Sequence, residues 1–347
     1  MPVTVNQAIE IGVQLVEMNQ TMLMLGPPGV GKTDALKMIA QQSNRKLFLE
    51  HPAVSAPEDY KGFAMFHEGE ADFYALGQIK EIIACDEPLI VGIDDLPQAA
   101  LATQNGLMQF VHPRGRRLGK LAIPDHAAII ACGNRKEDNA GVMGLTEPLK
   151  DRFATILEIE CSLDEWTEWA MGFGINPLII AFLHYRPALL SKFEASRDMK
   201  RSPTPRAWEG ISNLLNLSFS SNALKLEAIA GGVGDQAANE FMQFSDVLKT
   251  LPDLDDIERG LSTDASMLSG SACYAVVGAL AIRGTNTHAL TNVTNYIDTM
   301  PMEFKVLWSE MWYKINKKKV DEAEIPLIQN PAWGRWVQRY ANALKLG

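Results

Sequence analysis

Two kinds of apolar pattern divide the chain. Up to about residue 135, short unbroken apolar runs alternate with stretches of helical spacing. The runs are Met22-Leu23-Met24-Leu25, the centre of Lys46 to Glu50, Leu89 to Ile93 and Ala127 to Ala131. Runs of this length suit strands buried on both faces, and they predict a parallel sheet flanked by helices. Helical spacing covers Val5 to Glu17, Asp34 to Gln41 and Ala75 to Cys85, while Pro57 to Phe66, a Gly/acidic turn and Asp72-Phe73-Tyr74 read as an inserted hairpin. From Ser162 onward the strand-type runs fade. Helical spacing then recurs over 163–171, 177–183, 205–217, 223–230 and 237–248, and again over 265–282, 287–298 and 303–315. The polar stretch Leu251-Pro-Asp-Leu-Asp-Asp256 separates these two sets. The expected organisation is an α/β core over 1–161, a helical domain over 162–249 and a helical C-terminal extension over 250–347.

Composition narrows the class. The 347 residues are 47% apolar and 21% charged, an ordinary globular balance with room for two or three domains. A net charge of −10 repels a polyanion, which argues against nucleic acid as the main ligand. Two basic stretches stand against that background: His112 to Lys120, read as a hairpin, and Lys317-Lys318-Lys319, read as solvated surface. The N-terminus lacks the basic leader and apolar centre of a signal peptide, and no apolar run reaches the roughly 18 residues a bilayer demands. The expectation is a cytoplasmic protein without a membrane span. Cys85, Cys132, Cys161 and Cys273 lie far apart, as buried thiols do, and form no zinc-type pair.

The candidate chemistry begins at Gly26-Pro27-Pro28-Gly29-Val30-Gly31-Lys32-Thr33, a complete G-x-x-x-x-G-K-[ST] phosphate loop between a predicted strand and a predicted helix. In that setting backbone N–H groups wrap the β-phosphate and the helix start faces its charge. Lys32 is expected to bridge β- and γ-phosphate oxygens of ATP, and the Thr33 hydroxyl to ligate Mg²⁺. The run Leu89 to Ile93 ends in Asp94-Asp95, which places one carboxylate beside the metal and a second where a general base for water belongs. Asn134, after the next strand, is either a γ-phosphate or water contact or a turn residue following Gly133. Arg152 is either a surface arginine or a finger offered to a neighbouring subunit, and Arg206 opens a helix in the second region.

In order and spacing, Gly26 to Thr33, Ile93-Asp94-Asp95-Leu96-Pro97-Gln98-Ala99, Cys132-Gly-Asn-Arg135, Leu149-Lys-Asp-Arg152-Phe and Thr204-Pro-Arg206-Ala-Trp resemble an AAA+ ATPase of the MoxR, dynein-related group. Ser55 to Gly62 and Phe182 to Pro187 resemble segments of the CbbQ and NorQ relatives. The resemblance covers residues 1 to about 250. It implies Walker A, Walker B (Asp94 with Asp95), sensor 1 (Asn134), arginine finger (Arg152) and sensor 2 (Arg206), with residues 162–249 as the helical lid. It also implies a hexameric ring with chaperone-like activity on a protein client and a von Willebrand factor A domain partner. Asp95 stands where the family usually carries Glu, so its reach is one methylene shorter. In the family, hairpins corresponding to Gly62–Phe73 and Arg114–Lys120 extend toward the ring axis. Phe63, Met65 and Phe66 are then either pore residues or the packed side of a strand. Two other classes fit the same motifs: a nucleic-acid motor or loader, and a nucleotide-dependent switch with slow hydrolysis.

Overall fold

The computed structural model describes residues 1–67, 69–112, 115–118, 121–138, 143–193, 201–247, 251–268, 270–322 and 333–336. The chain divides into two compact units, the first spanning Met1–Ser162 and the second beginning at Leu163. In the first unit the elements run α1 (Val5–Glu17), β1 (Thr21–Leu25), α2 (Lys32–Gln42), β2 (Lys46–Glu50), α3 (Pro57–Lys61), β3 (Phe63–His67), β4 (Glu70–Tyr74), α4 (Gly77–Ile83) and β5 (Leu89–Ile93). They continue with α5 (Leu101–Leu107), β6 (Arg117–Leu118), β7 (Leu121–Ala122), β8 (Ala127–Gly133), α6 (Glu147–Lys150) and β9 (Thr155–Glu158).

A five-stranded sheet in the order β2-β5-β8-β1-β9, parallel throughout, forms the centre of this unit. Strands β5 and β8 are buried along their whole length, which is why they read as unbroken apolar runs. The edge strand β9 has the alternating exposure of a strand with one wet face. Side chains of β1 divide between two cores. Met22 and Met24 pack with Leu36 and Ile39 of α2 and with Ile90, Ile130 and Cys132, whereas Leu23 faces Val91, Ile93, Ile129 and Leu107 on the other side. Because β1 lies between β8 and β9, both later in sequence, the loop leaving β1 emerges where the strand order reverses. Such switch points at strand carboxyl ends are where open α/β sheets bind ligands.

The inserted hairpin β3–β4 pairs Phe63 with Tyr74 and Ala64 with Phe73 in a two-stranded sheet of its own. Phe63, Met65 and Phe66 are all exposed. Arg114 and Lys120, the bounds of the second expected hairpin, lie outside the described residues; its β6–β7 pairing is present.

The second unit is helical. Its elements are α7 (Leu163–Phe173), α8 (Pro177–Tyr185), α9 (Pro205–Leu214), α10 (Asn222–Val233), α11 (Asp235–Val247), α12 (Leu254–Glu258), α13 (Ser271–Leu280), α14 (Thr287–Ile297) and α15 (Met302–Asp321). Phe182, Trp208, Phe241 and Phe244 form an aromatic centre, with the Trp208 indole N–H donating to Leu189 O at 2.7 Å. Helix α13 packs along α8, so residues on both sides of the stretch 251–256 share this unit. No helix among the described residues is long and apolar enough to cross a membrane.

Candidate functional site

The loop from Gly26 to Gly31 turns through left-handed backbone at Gly29 (φ 74°) and Gly31 (φ 103°), conformations that side chains disfavour. Gly31 is also the N-cap of α2 and supplies no side-chain cap. The first N–H groups of that helix therefore face the loop without an internal acceptor from the cap, the arrangement that favours an anion. Gly26 N–H donates to Gly133 O at 3.2 Å, tying the loop to the end of β8.

Lys32 is 7% exposed, and its ammonium donates to Gly26 O (2.8 Å), Pro27 O (2.8 Å) and Asn134 Oδ1 (3.0 Å). Burial pushes its pKa down to about 8, against the opposing pull of Cys132, Asp95, Asp138 and Asp94. Thr33 Oγ1 donates to Asp94 Oδ2 at 2.8 Å, across 61 residues of sequence. The other Asp94 oxygen accepts from the Asp95 N–H and the Cys132 thiol, both at 3.0 Å. Each oxygen of Asp94 is thus assigned, and the one beside Thr33 faces the loop. Asp95 follows in left-handed backbone (φ 55°, ψ 32°), which Asp tolerates better than most residues. Its carboxyl pKa is raised, first by burial and then by the charge of Asp94.

Lys32, Thr33, Asp94, Asp95 and Asn134 therefore gather at the carboxyl end of the sheet. Arg152 does not join them. Its carbonyl accepts from Thr21 Oγ1 at the start of β1 (2.8 Å), roughly 13 Å of strand away from the loop. Its guanidinium donates to Pro148 O at 2.5 Å, and its buried Nε has no partner. Arg206 is exposed at the start of α9, in the second unit.

Four residues of the site have no role assigned from the sequence: Cys132, Arg135 and Gln98, which lie inside the motif strings, and Glu50, which does not. Cys132 belongs to a strand interior, and only the fold turns its thiol to Asp94. Arg135 donates to Asp138 (2.9 Å) and Glu158 (2.6 Å), clamping the turn after Asn134 to the end of β9. Glu50, at the end of β2, accepts the Asp94 N–H through its carbonyl (2.8 Å). Burial raises its carboxyl to about 7, opposed by the Tyr60 hydroxyl, which donates at 3.4 Å. Gln98 donates to Asp95 Oδ1 at 2.6 Å.

Residues 22–161 match the AAA family, the ATPase family associated with various cellular activities. No curated protein matches the chain. Among solved structures, a proline-to-glycine mutant of Thermotoga maritima RuvB is 14% identical over 74% of this chain and 75% of that one, with a TM-score of 0.43. The Thermotoga maritima RuvB Holliday junction branch migration motor is 16% identical over 79% and 86%, with a TM-score of 0.38. Superpositions as loose as these carry no information about what the chain acts on. The chain contains an AAA ATPase domain with the parallel, helix-flanked P-loop fold, and that domain is an ATP hydrolase.

Proposed function

We propose that this AAA ATPase works as a MoxR-type ring, a hexamer, whose composite sites hydrolyse ATP to remodel a protein partner. The observation that carries this reading is the separation of Arg152 from the phosphate loop of its own chain. Among the described residues of the site the arginine present, Arg135, is paired with Asp138 and Glu158, and a neighbouring subunit's Arg152 is the natural supplier of a γ-phosphate arginine. A cleft of about 730 Å³ beside Asn134, lined by Leu25, Pro97, Arg135 and Glu158 among others, gives a second subunit room to approach.

Thr33 and Asp94 present a hydroxyl and a carboxylate oxygen 2.8 Å apart, a hard-oxygen pair that fits Mg²⁺. When bound, that ion neutralises charge on the β- and γ-phosphate oxygens. In this reading Lys32 holds the same oxygens, Asp95 accepts a proton from the attacking water and Asn134 orients that water. The exposed Phe63, Met65 and Phe66 of the β3–β4 hairpin offer an apolar grip on a client. A von Willebrand factor A domain protein is the proposed partner, and the net charge of −10 favours protein over nucleic acid.

The test uses Asp95→Asn, which keeps the phosphate loop and removes the base. With ATP the variant is expected to assemble into rings of six by native mass spectrometry while turnover falls to a small residual rate. A protein that stays monomeric with ATP and still hydrolyses it overturns the ring. Turnover accelerated by DNA in a salt-dependent way moves the reading to a nucleic-acid motor.

A further inference from the structure

We propose that Gln98 is a positioning residue for hydrolysis, its side-chain amide holding the Asp95 carboxylate in place at the end of β5. The inference rests on the reading of Asp95 as the group that takes the proton from water. Gln98 Nε2 donates to Asp95 Oδ1 at 2.6 Å. The other half of the amide, Oε1, is buried and takes no hydrogen bond. Turning the amide over would set oxygen against oxygen, so the carboxylate decides its orientation. An amide that leaves a buried acceptor unpaired is held in place for its donor.

The backbone reinforces the same geometry. Gln98 N–H donates to Asp95 O at 3.0 Å, so both residues share one tight turn over Leu96–Gln98. The Asp95 N–H is fixed on Asp94 Oδ1 at 3.0 Å. Asp95 is thus held through its amide, its carbonyl and its carboxylate, and Gln98 supplies two of the three bonds. The turn lies flat on the end of β8. A Cβ at Gly133 would stand 2.2 Å from Pro97 Cδ and 3.0 Å from Gln98 Oε1. Only glycine allows that approach, and the next residue is Asn134. Gln98 therefore packs between the strand end that carries Asp95 and the strand end that carries Asn134. One amide N–H is committed to Asp95 and the amide oxygen is buried, so Gln98 acts through Asp95. The one-methylene shortfall of aspartate relative to glutamate makes such a hold consequential, because a short side chain cannot compensate for a displaced backbone.

The experiment measures steady-state ATP hydrolysis and fluorescent-nucleotide affinity for the full chain. Gln98→Ala is expected to lower kcat by about tenfold to a hundredfold, with KM within about twofold of wild type. Gln98→Glu has the same shape, removes the donor and adds a like charge; it is expected to fall at least as far. Unchanged nucleotide affinity shows that both variants are folded. In the Asp95→Asn background, Gln98→Ala is expected to add less than about a twofold loss. Wild-type kcat in both Gln98 variants, with Asp95→Asn reduced to its residual rate, overturns the role of Gln98 and leaves Asp95 standing. A full further loss in the Asp95→Asn background also overturns it, because Gln98 would then act elsewhere. Asp95→Asn turning over at the wild-type rate overturns the reading beneath.

Discussion

The two ends of the central sheet use positive charge in opposite ways. At the amino end, arginines bond to backbone oxygens. Arg116 is buried and donates to Ala127 O, Asn19 O (2.6 Å) and His112 O (3.3 Å), and Arg45 donates to His126 O at 2.9 Å. At the carboxyl end, Lys32 shares its surroundings with Asp94, Asp95 and Asp138 as well as with carbonyls. Arg116 joins loops together through carbonyls, with the charge of Asp125 acting on it. Lys32 also bonds to carbonyl and amide oxygens, but it lies beside a glycine loop and a helix start that favour an anion. Arg152 belongs to the amino end by its backbone, yet its Nε is buried without a partner. That unspent donor separates it from Arg116.

The contrast is broken most severely at Lys32. Lys32→Ala removes the cation at the phosphate loop and is expected to weaken ATP binding by at least about a hundredfold by calorimetry. Near-normal affinity would show that the carboxyl end is not the phosphate site. Arg152→Ala is expected to keep ATP affinity and lose turnover by a factor of order 10³. Mixing it with Lys32→Ala subunits is expected to restore part of the rate, because an intact loop then faces an intact arginine. If labelled subunits exchange and the mixture stays inactive, Arg152 serves its own chain only.

Arg116→Ala tests the amino end. It leaves buried carbonyls unpaired and is expected to cost about 3 kcal/mol in denaturant unfolding, with nucleotide affinity of the folded protein unchanged. A variant that is stable yet loses nucleotide would place Arg116 in the site.

The smallest expected effect is at Glu50, whose carboxyl burial raises from 4.5 to about 7. Between those values the folded chain holds a proton that the unfolded chain has released. Stability therefore falls as pH rises through that window and stays lower above it. Glu50→Gln removes the penalty. The gain at pH 8 is expected to be about 1 kcal/mol, reduced here for the partial exposure of Glu50, and to vanish near pH 4.5. A gain that grows toward low pH has the wrong sign for this account.

Much of the first unit is legible because its signals are contiguous. The phosphate loop is eight adjacent residues, and Leu89 to Asp95 is one strand with its end. Helix α1 begins and ends where its spacing predicts, with Thr4 and Gln7 forming a capping box. Strand β9 is not legible. Thr155-Ile156-Leu157-Glu158 is too short to mark a strand by itself, and pairing with β1 makes it one. Helix α13 starts at Ser271 rather than near Ala265, because Gly270 breaks the path with φ 52°. The hidden part of the site has the same origin. Cys132, Arg135, Glu50 and Gln98 act through partners brought close by tertiary packing, or through a turn whose conformation the local sequence does not announce.

The three carbonyl and amide oxygens around Lys32 have a thermodynamic consequence. An ammonium has three N–H bonds, and all three are committed to Gly26, Pro27 and Asn134. A phosphate that engages Lys32 enters by exchange, displacing a neutral acceptor for every contact it makes. The bonds given up and the bonds gained are both charge-assisted through the ammonium, so each exchange nets only the difference between a neutral and an anionic acceptor. The net free energy gained at this residue is correspondingly modest. Any exchange at the third position also releases the Asn134 side chain, so occupancy of the phosphate loop reaches the end of β8 by a change of acceptor alone.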